Sequence, residues 1–380
     1  MSWTLIRSIA REYVVLLLGI LAALVVVFLV GDFVDRAKAY TGPDWISAVA
    51  ELYLNKALVS LHQLAPAALL LAAGATISSL RKRGELTALQ SLGFSPRVLL
   101  LPIGGLALLA CVSLVIFEEK VVVNASRRVE EITVHRFNRW GDWRFYYVPK
   151  QWFRRGEHVF HLRGGDVEKG FENATILTMD HDFRLRRRID AKHMRHAGSS
   201  RWTMQDVMER TFHADGSVTL RTPVAAEYDL GAEADAFRIQ MGRPEQMPLA
   251  EIRRQIAARG EVGLETRNFE LAVHNRVAYP LAGLPAALLA VLLAIRAGRR
   301  GHLTAALVEG LCIAMAMWSL MVVSRTLVLG ERMPPALAAW LPFLLLSVSA
   351  LVAWARYQGL FARVRADGAT GRASASLRQR

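Results

Sequence analysis

The amino-acid sequence predicts an α-helical integral membrane protein of six transmembrane helices, three before and three after an inserted all-β domain. Three observations predict it. Six runs with one charged residue among them are long enough to cross about 30 Å of hydrocarbon as helices. About 150 residues between the third and fourth runs contain no comparable stretch, and the basic residues alternate in density with the runs. The 380 residues are 53% hydrophobic, with 47 Lys+Arg against 33 Asp+Glu and a net charge of +14. This hydrophobic fraction excludes a disordered chain, and two cysteines exclude a disulfide-stapled module.

The first run, residues 13–31, is too long for a signal-peptide core and has no small-residue cleavage site before Asp32, so it is expected to stay as a span. Residues 57–80, 98–117, 277–295 and 333–355 are uncharged, and residues 303–324 are broken only by Glu309. The ends of these spans differ in charge. The N-terminus (Arg7, Arg11, Glu12), the loop after span two (Arg81, Lys82, Arg83, Glu85, Arg97), the loop after span four (Arg296, Arg299, Arg300) and residues 356–380 together carry +12. With six spans all four lie on one side, whereas residues 32–56 on the other side sum to −1. Positive charge stays in the cytoplasm, so both termini are expected there and the insertion outside the inner membrane.

The insertion, residues 121–247, is followed by a connection over 248–271 whose first part, 248–259, has the pattern of a short amphipathic helix. Spans four to six occupy 272–356 and a basic tail 357–380. Residues 121–271 hold 25 Lys+Arg against 22 Asp+Glu, which is no nucleic-acid surface. Strand-like runs occur at 144–148, 158–163, 174–179, 183–189, 201–207 and 217–220, with turn chemistry at Gly164-Gly165, Gly198-Ser199 and Asp215-Gly216. Alternation in Phe183-Arg184-Leu185-Arg186 suits a half-buried antiparallel sheet, and a sandwich or jelly roll of roughly 100–120 residues accommodates these runs. Cys111 and Cys312 lie in spans, so no disulfide is expected in the domain.

Catalytic signatures are lacking. There is no G-x-x-x-x-G-K-[ST] to hold ATP phosphates and no H-E-x-x-H zinc motif. His158 with His161, and His193 with His196, are three apart, which on strands points them to opposite faces. The segment SLRKRGELTALQSLGFSPR, residues 79–97, has more structure in it. After Gly84 a helix near 84–94 would carry Glu85 in its first turn and Leu86, Leu89 and Leu92 as an apolar edge, ending near Gly93. Such a helix suits an interfacial anchor between two spans, and also coupling to a soluble motor. A second constellation is basic: Arg36 and Lys38 after span one, Lys56 at the start of span two, Arg276 at the start of span four and Arg325 near the outer end of span five. Cations at this depth suit lipid phosphates, or snorkel to the interface. Glu309 would pair with a neighbouring base or sit at the interface.

Together these segments resemble the LptF/LptG family of lipopolysaccharide export permeases. The resemblance rests on the three-plus-three order, on RKRGELTALQSLGFSPR, on IDAKHMRHAGSSRWTMQDVMERTF in the insertion and on MPPALAAWLPFLLL in the last span. FLVGDFVDRAKAY after span one is more similar to LptG than to LptF. The resemblance implies a non-catalytic half of an ABC transporter, paired with a sibling permease and with two copies of an LptB-like ATPase that binds ATP and Mg. It further implies extraction of lipopolysaccharide from the outer leaflet of the inner membrane and passage to a periplasmic jelly-roll bridge that begins with an LptC-like protein. In that frame Glu85, Leu86, Leu89, Leu92 and Gly93 would couple to the ATPase, and Arg36 and Lys38 would face lipid phosphates. Lys56, Arg276 and Arg325 join them from the charge pattern alone. Phe28, Leu29, Phe33, Met317 and Leu320 would line an apolar cavity that takes acyl chains out of the bilayer. The competing expectations are a permease for another lipid or a lipoprotein, and a membrane-anchored β-domain sensor. Peptide and lipoprotein permeases carry their large outer domain after the first span, whereas here it follows the third.

Overall fold

The computed structural model describes residues 3–42, 44–92, 97–137, 151–167, 169–213, 215–231, 237, 242–261, 263–296 and 303–359. The chain forms two compact units, Met1–Ile132 with His274–Arg380, and Thr133–Val273.

In the first unit the helices are α1 (Trp3–Arg36), α2 (Trp45–Lys82), α3 (Glu85–Ser91), α4 (Arg97–Phe117) and α5 (Val123–Ile132). A π-helical turn, Glu118–Val122, joins α4 to α5. The second unit ends with α6 (Leu249–Glu261) and the first turns of α7 (Arg267–Leu281), and the first unit resumes within α7 and continues through α8 (Gly283–Arg296), α9 (Leu303–Leu329) and α10 (Pro335–Tyr357). Among the described residues, six helical stretches are long and apolar enough to cross a membrane: Trp3–Ala39, Trp45–Lys82, Val98–Phe137, Arg267–Arg296, Leu303–Leu329 and Pro335–Tyr357. All six expected spans are therefore present. The helices overrun the uncharged runs, because hydropathy marks the apolar part of a helix and backbone hydrogen bonding continues beyond it.

Small side chains let α2 and α8 approach closely. Ala68, Ala72, Ala73, Gly74 and Ala75 of α2 and Ala286, Ala287, Ala290 and Ala294 of α8 are all buried. In lipid, where apolar surface drives little association between helices, such contact supplies the packing energy. A Cβ on Gly283 would lie 2.7 Å from Leu69 Cδ1 and 3.4 Å from Pro66 Cα, and one on Gly310 of α9 2.8 Å from both Leu70 and Leu71. Ile9 and Tyr13 of α1 join the same core, the Tyr13 hydroxyl donating to Leu69 O at 3.3 Å. Much of α1 and α9 instead exposes large apolar residues, Val15, Val27, Val308 and Trp318 among them.

The second unit contains β1 (Gln151–Arg155), β2 (His158–Leu162), β3 (Gly164–Asp166), β4 (Gly170–Met179), β5 (Leu185–Gly198), β6 (Arg201–Phe212), β7 (Val218–Arg221) and β8 (Ala225–Asp229). They form one antiparallel sheet in the order β1-β2-β4-β5-β6-β7, with β3 also on β4 and β8 also on β6. The three long strands share a crease. Each carries two successive outward residues between inward ones: Phe171-Glu172-Asn173-Ala174, Ala191-Lys192-His193-Met194 and Met204-Gln205-Asp206-Val207. These quartets are in register, and Asn173 and Asp206 take positive φ of 50° and 51° there. The alternation of faces flips along one line across the sheet, as at a row of bulges. On one side of the crease lie β1, β2 and β7, on the other β3 and β8. Phe160, Ile176 and Ile189 from the first half and Phe171, Met194, Trp202 and Met204 from the second enter a single core with Phe237. The inserted β domain is thus a folded sheet with a shared interior.

Several expected details change. Gly164-Gly165 is the start of β3 and not a turn, since β4 runs back far enough to pair with it. Phe183 lies outside β5: its φ is 58° in a turn closed by Phe183 N–H to Asp180 O at 3.1 Å, and the exposed ring stacks under Arg154. The runs at 183–189 and 201–207 extend into strands of 14 and 12 residues. The Asp215-Gly216 hairpin joins β6 to β7 as expected, with His213 N–H donating to Ser217 O at 3.0 Å. The strand expected at 144–148 falls outside the described residues.

Candidate functional site

The end of the first unit where α1 passes into α2 gathers charge and aromatic rings. Asp32 and Arg36 are one turn apart on α1, and Tyr53 and Lys56 lie three residues apart on α2. Arg36 Nε is 3.1 Å from Asp32 Oδ1, while Lys56 Nζ donates to the other oxygen, Oδ2. The Tyr53 hydroxyl donates to Oδ2 as well, at 2.8 Å, and Tyr40 and Tyr53 share a hydrogen bond of 3.1 Å. Phe33, Tyr40 and Tyr53 form a triangle of rings with centroids 5.7–6.1 Å apart. The side chains of Asp32 and Lys56 are 15% and 13% exposed, that of Arg36 59%, and Lys38 is exposed just beyond. Of the five cations named from the charge pattern, the structure therefore brings Arg36 and Lys56 together on Asp32, and Lys38 follows Arg36 by two residues in a 3-10 turn.

Arg276 belongs to a different cluster. It is 5% exposed on α7, its Nε 3.2 Å from Glu118 Oε1 and its Nη1 2.5 Å from Glu119 Oε2. His62 of α2 approaches Glu118 to 3.4 Å, and Tyr279 donates its hydroxyl to Gln63 O. Two carboxylates around one buried guanidinium leave no net positive charge there for an anionic ligand. Charge pattern alone grouped Arg276 with the phosphate candidates because its carboxylate partners lie 157 and 158 residues away in sequence. Arg325 is exposed on α9, and Glu309 is exposed on the same helix with no ion pair among the described residues.

At the opposite end of α2, α3 runs from Glu85 to Ser91, shorter than the expected 84–94, and Gly93 lies outside the described residues. Gly84 precedes it with φ 78°, a conformation that favours glycine. The leucine edge is divided between two directions. Leu86 is 3% exposed inside the chain's own core and Leu89 packs against that core, whereas Leu92 is 72% exposed. Leu86 is therefore a bundle residue and does not present itself to a partner. Glu85 remains accessible, 3.8 Å from Arg83, which also pairs with Glu12.

The apolar candidates separate likewise. Phe28 and Phe33 are 43% and 38% exposed on α1, Leu29 and Leu320 are half-buried, and Met317 is buried in the bundle core. Met317 therefore serves packing within this chain.

Inside the β domain, Tyr228 donates to Glu209 at 3.1 Å and Arg187 approaches the same carboxylate to 3.7 Å. Burial together with the Glu209 hydrogen bond pushes the Tyr228 hydroxyl up to about 12. His158, bonded to Thr178 at 3.0 Å, is held below the ordinary histidine range by burial and by Arg187. His161 instead stacks on Trp152 at 4.2 Å.

Asp32, Tyr53 and Tyr40 were not among the residues singled out from the sequence, nor were Glu118, Glu119 and His62. The i, i+4 spacing of Asp32 and Arg36 was a signal in the sequence, as was the adjacent acidic pair at the end of an apolar run. No curated protein matches the chain. A family model described as lipopolysaccharide export system permease LptF/LptG matches residues 7–356. With that match spanning both sets of helices and the inserted β domain, the chain belongs to the LptF/LptG family.

Proposed function

We propose that this chain is one of two paired permease subunits that extract lipopolysaccharide from the inner membrane, driven by a separate LptB-like ATPase. The family is that of an ABC-transporter permease and the chain is a multi-pass inner-membrane protein. The observation that carries the substrate reading is the convergence of Arg36 and Lys56, with Lys38 two residues on, beside an aromatic triangle where α1 passes into α2. Cations meet phosphates on the sugar headgroup, and the exposed apolar face of α1, with Phe28 and Phe33, meets acyl chains. The charge asymmetry of the loops supports a periplasmic position for this end and for the β domain, with both termini cytoplasmic.

In the same reading the ATPase is met by Glu85 of α3 and by Leu92, which directly follows that helix. The β domain passes lipid towards an LptC-like bridge protein by pairing an exposed edge strand with it. Both β7 and β8 lie on edges, and Val218 and Leu220 of β7 are exposed. A photo-crosslinker at Lys38 in the assembled transporter tests the substrate reading. Capture of lipopolysaccharide is expected, and no capture at Lys38 alongside capture elsewhere on α1 would remove these cations from the site.

A further inference from the structure

We propose that Asp32 is the internal occupant of the phosphate site, a carboxylate that holds Arg36 and Lys56 in place until a lipid phosphate displaces it. This rests on the substrate reading above and adds a residue that sets how tightly the substrate is held. The geometry points to it in three ways. One carboxylate engages a cation with each of its oxygens, Arg36 from its own helix and Lys56 from the next, and takes a third donor from Tyr53. Two cations and a hydroxyl around a pair of oxygens also suit two terminal oxygens of a phosphate monoester. Secondly, Asp32 and Lys56 are mostly withdrawn from solvent, so exchange of one anion for another happens where charge interactions are weakly screened. Thirdly, the phosphate has the advantage in charge, carrying roughly −1.5 to −2 against −1 for the carboxylate.

The displaced Asp32 stays covalently tethered beside the bound phosphate. Its repulsion lowers net affinity and lets it reclaim the cations when the lipid leaves. A carrier benefits from this balance, since a site must be favourable enough to load and weak enough to empty. Asp32 acts on the substrate through Arg36 and Lys56, so it is a positioning residue.

The test uses the complete transporter in proteoliposomes, with a photo-crosslinker at the exposed Ala39 so that every cation is kept. The probes are bisphosphorylated lipid A and the same lipid dephosphorylated. Asp32→Asn should raise capture of the phosphorylated lipid on the order of fivefold, leave the dephosphorylated lipid unchanged and slow ATP-driven release. Asp32→Ser, smaller and also uncharged, should do the same, and Asp32→Glu, which restores a competitor, should return capture towards wild type. Capture that is unchanged or reduced in Asp32→Asn and Asp32→Ser would overturn the proposal, since Asp32 would then only organise the cations. Lys56→Ala separates the two levels: if it leaves capture of phosphorylated lipid intact, the substrate reading itself fails, whatever Asp32 does.

Discussion

Arg276→Met removes a cation from between two carboxylates and leaves the rest of the side-chain volume nearly filled. Arg276 is 5% exposed, Glu118 17% and Glu119 36%. Taking one partner from a buried pair costs about 3–5 kcal/mol, because the remaining charge has lost both its water and its counter-ion. Water reaches Glu119, so the lower end applies, about 3 kcal/mol, which shifts the folding equilibrium roughly a hundredfold. Reversible unfolding of the purified chain in mixed micelles with SDS, followed by tryptophan fluorescence, measures this. The variant Arg276→Met with Glu118→Gln and Glu119→Gln should recover most of the loss, since replacing a whole buried ion cluster is often close to neutral. A single variant that unfolds at the wild-type SDS fraction, or a triple variant no more stable than the single, would refute this.

Other expectations concern separate parts of the molecule. Gly283→Leu should destabilise the bundle by about 1–3 kcal/mol in the same unfolding assay, because its Cβ meets Leu69 and the Pro66 backbone. Trp202→Ala empties a site that is 0% exposed among Phe171 and Phe237, and should cost about 3–5 kcal/mol, read as loss of the β domain's near-ultraviolet circular dichroism. Leu92→Asp should abolish co-purification of the ATPase while leaving unfolding unchanged, whereas Leu86→Asp should destabilise the chain itself. The His158 pKa is depressed in the folded protein, so its neutral form contributes stability that is complete above about pH 6.5 and is lost as pH falls towards the folded value. Melting of wild type between about pH 7.5 and 5 should therefore show an acid-side decline that His158→Gln reduces.

Much of the membrane unit was legible because span recognition needs only length and hydropathy, which survive without knowledge of neighbours. Helix ends were less so: charged residues such as Glu118 and Glu119 continue the third span's helix because Arg276 neutralises them from across the bundle. The strands were found where they alternate and lost where they do not. At the crease, outward pairs such as Glu172-Asn173 and Gln205-Asp206 break the period of two, so windows of alternation end in the middle of long strands. The cations Arg36, Lys38 and Lys56 were found by type and position, yet their carboxylate was counted only as negative charge in the same loop. Leu86 and Leu92 read alike in a leucine edge, and only the fold separates a core side from a free one.

Receipt of a lipid phosphate by the basic cluster at the end of α1 and α2 is the central claim. The most direct measurement is crosslinking in living cells from Lys38 in the assembled transporter, compared with the same crosslinker in a transporter that carries Lys56→Ala and Arg36→Ala. Lipopolysaccharide should be captured at Lys38, with a strong loss of that capture in the double variant. Equal capture with and without Arg36 and Lys56 would contradict the claim.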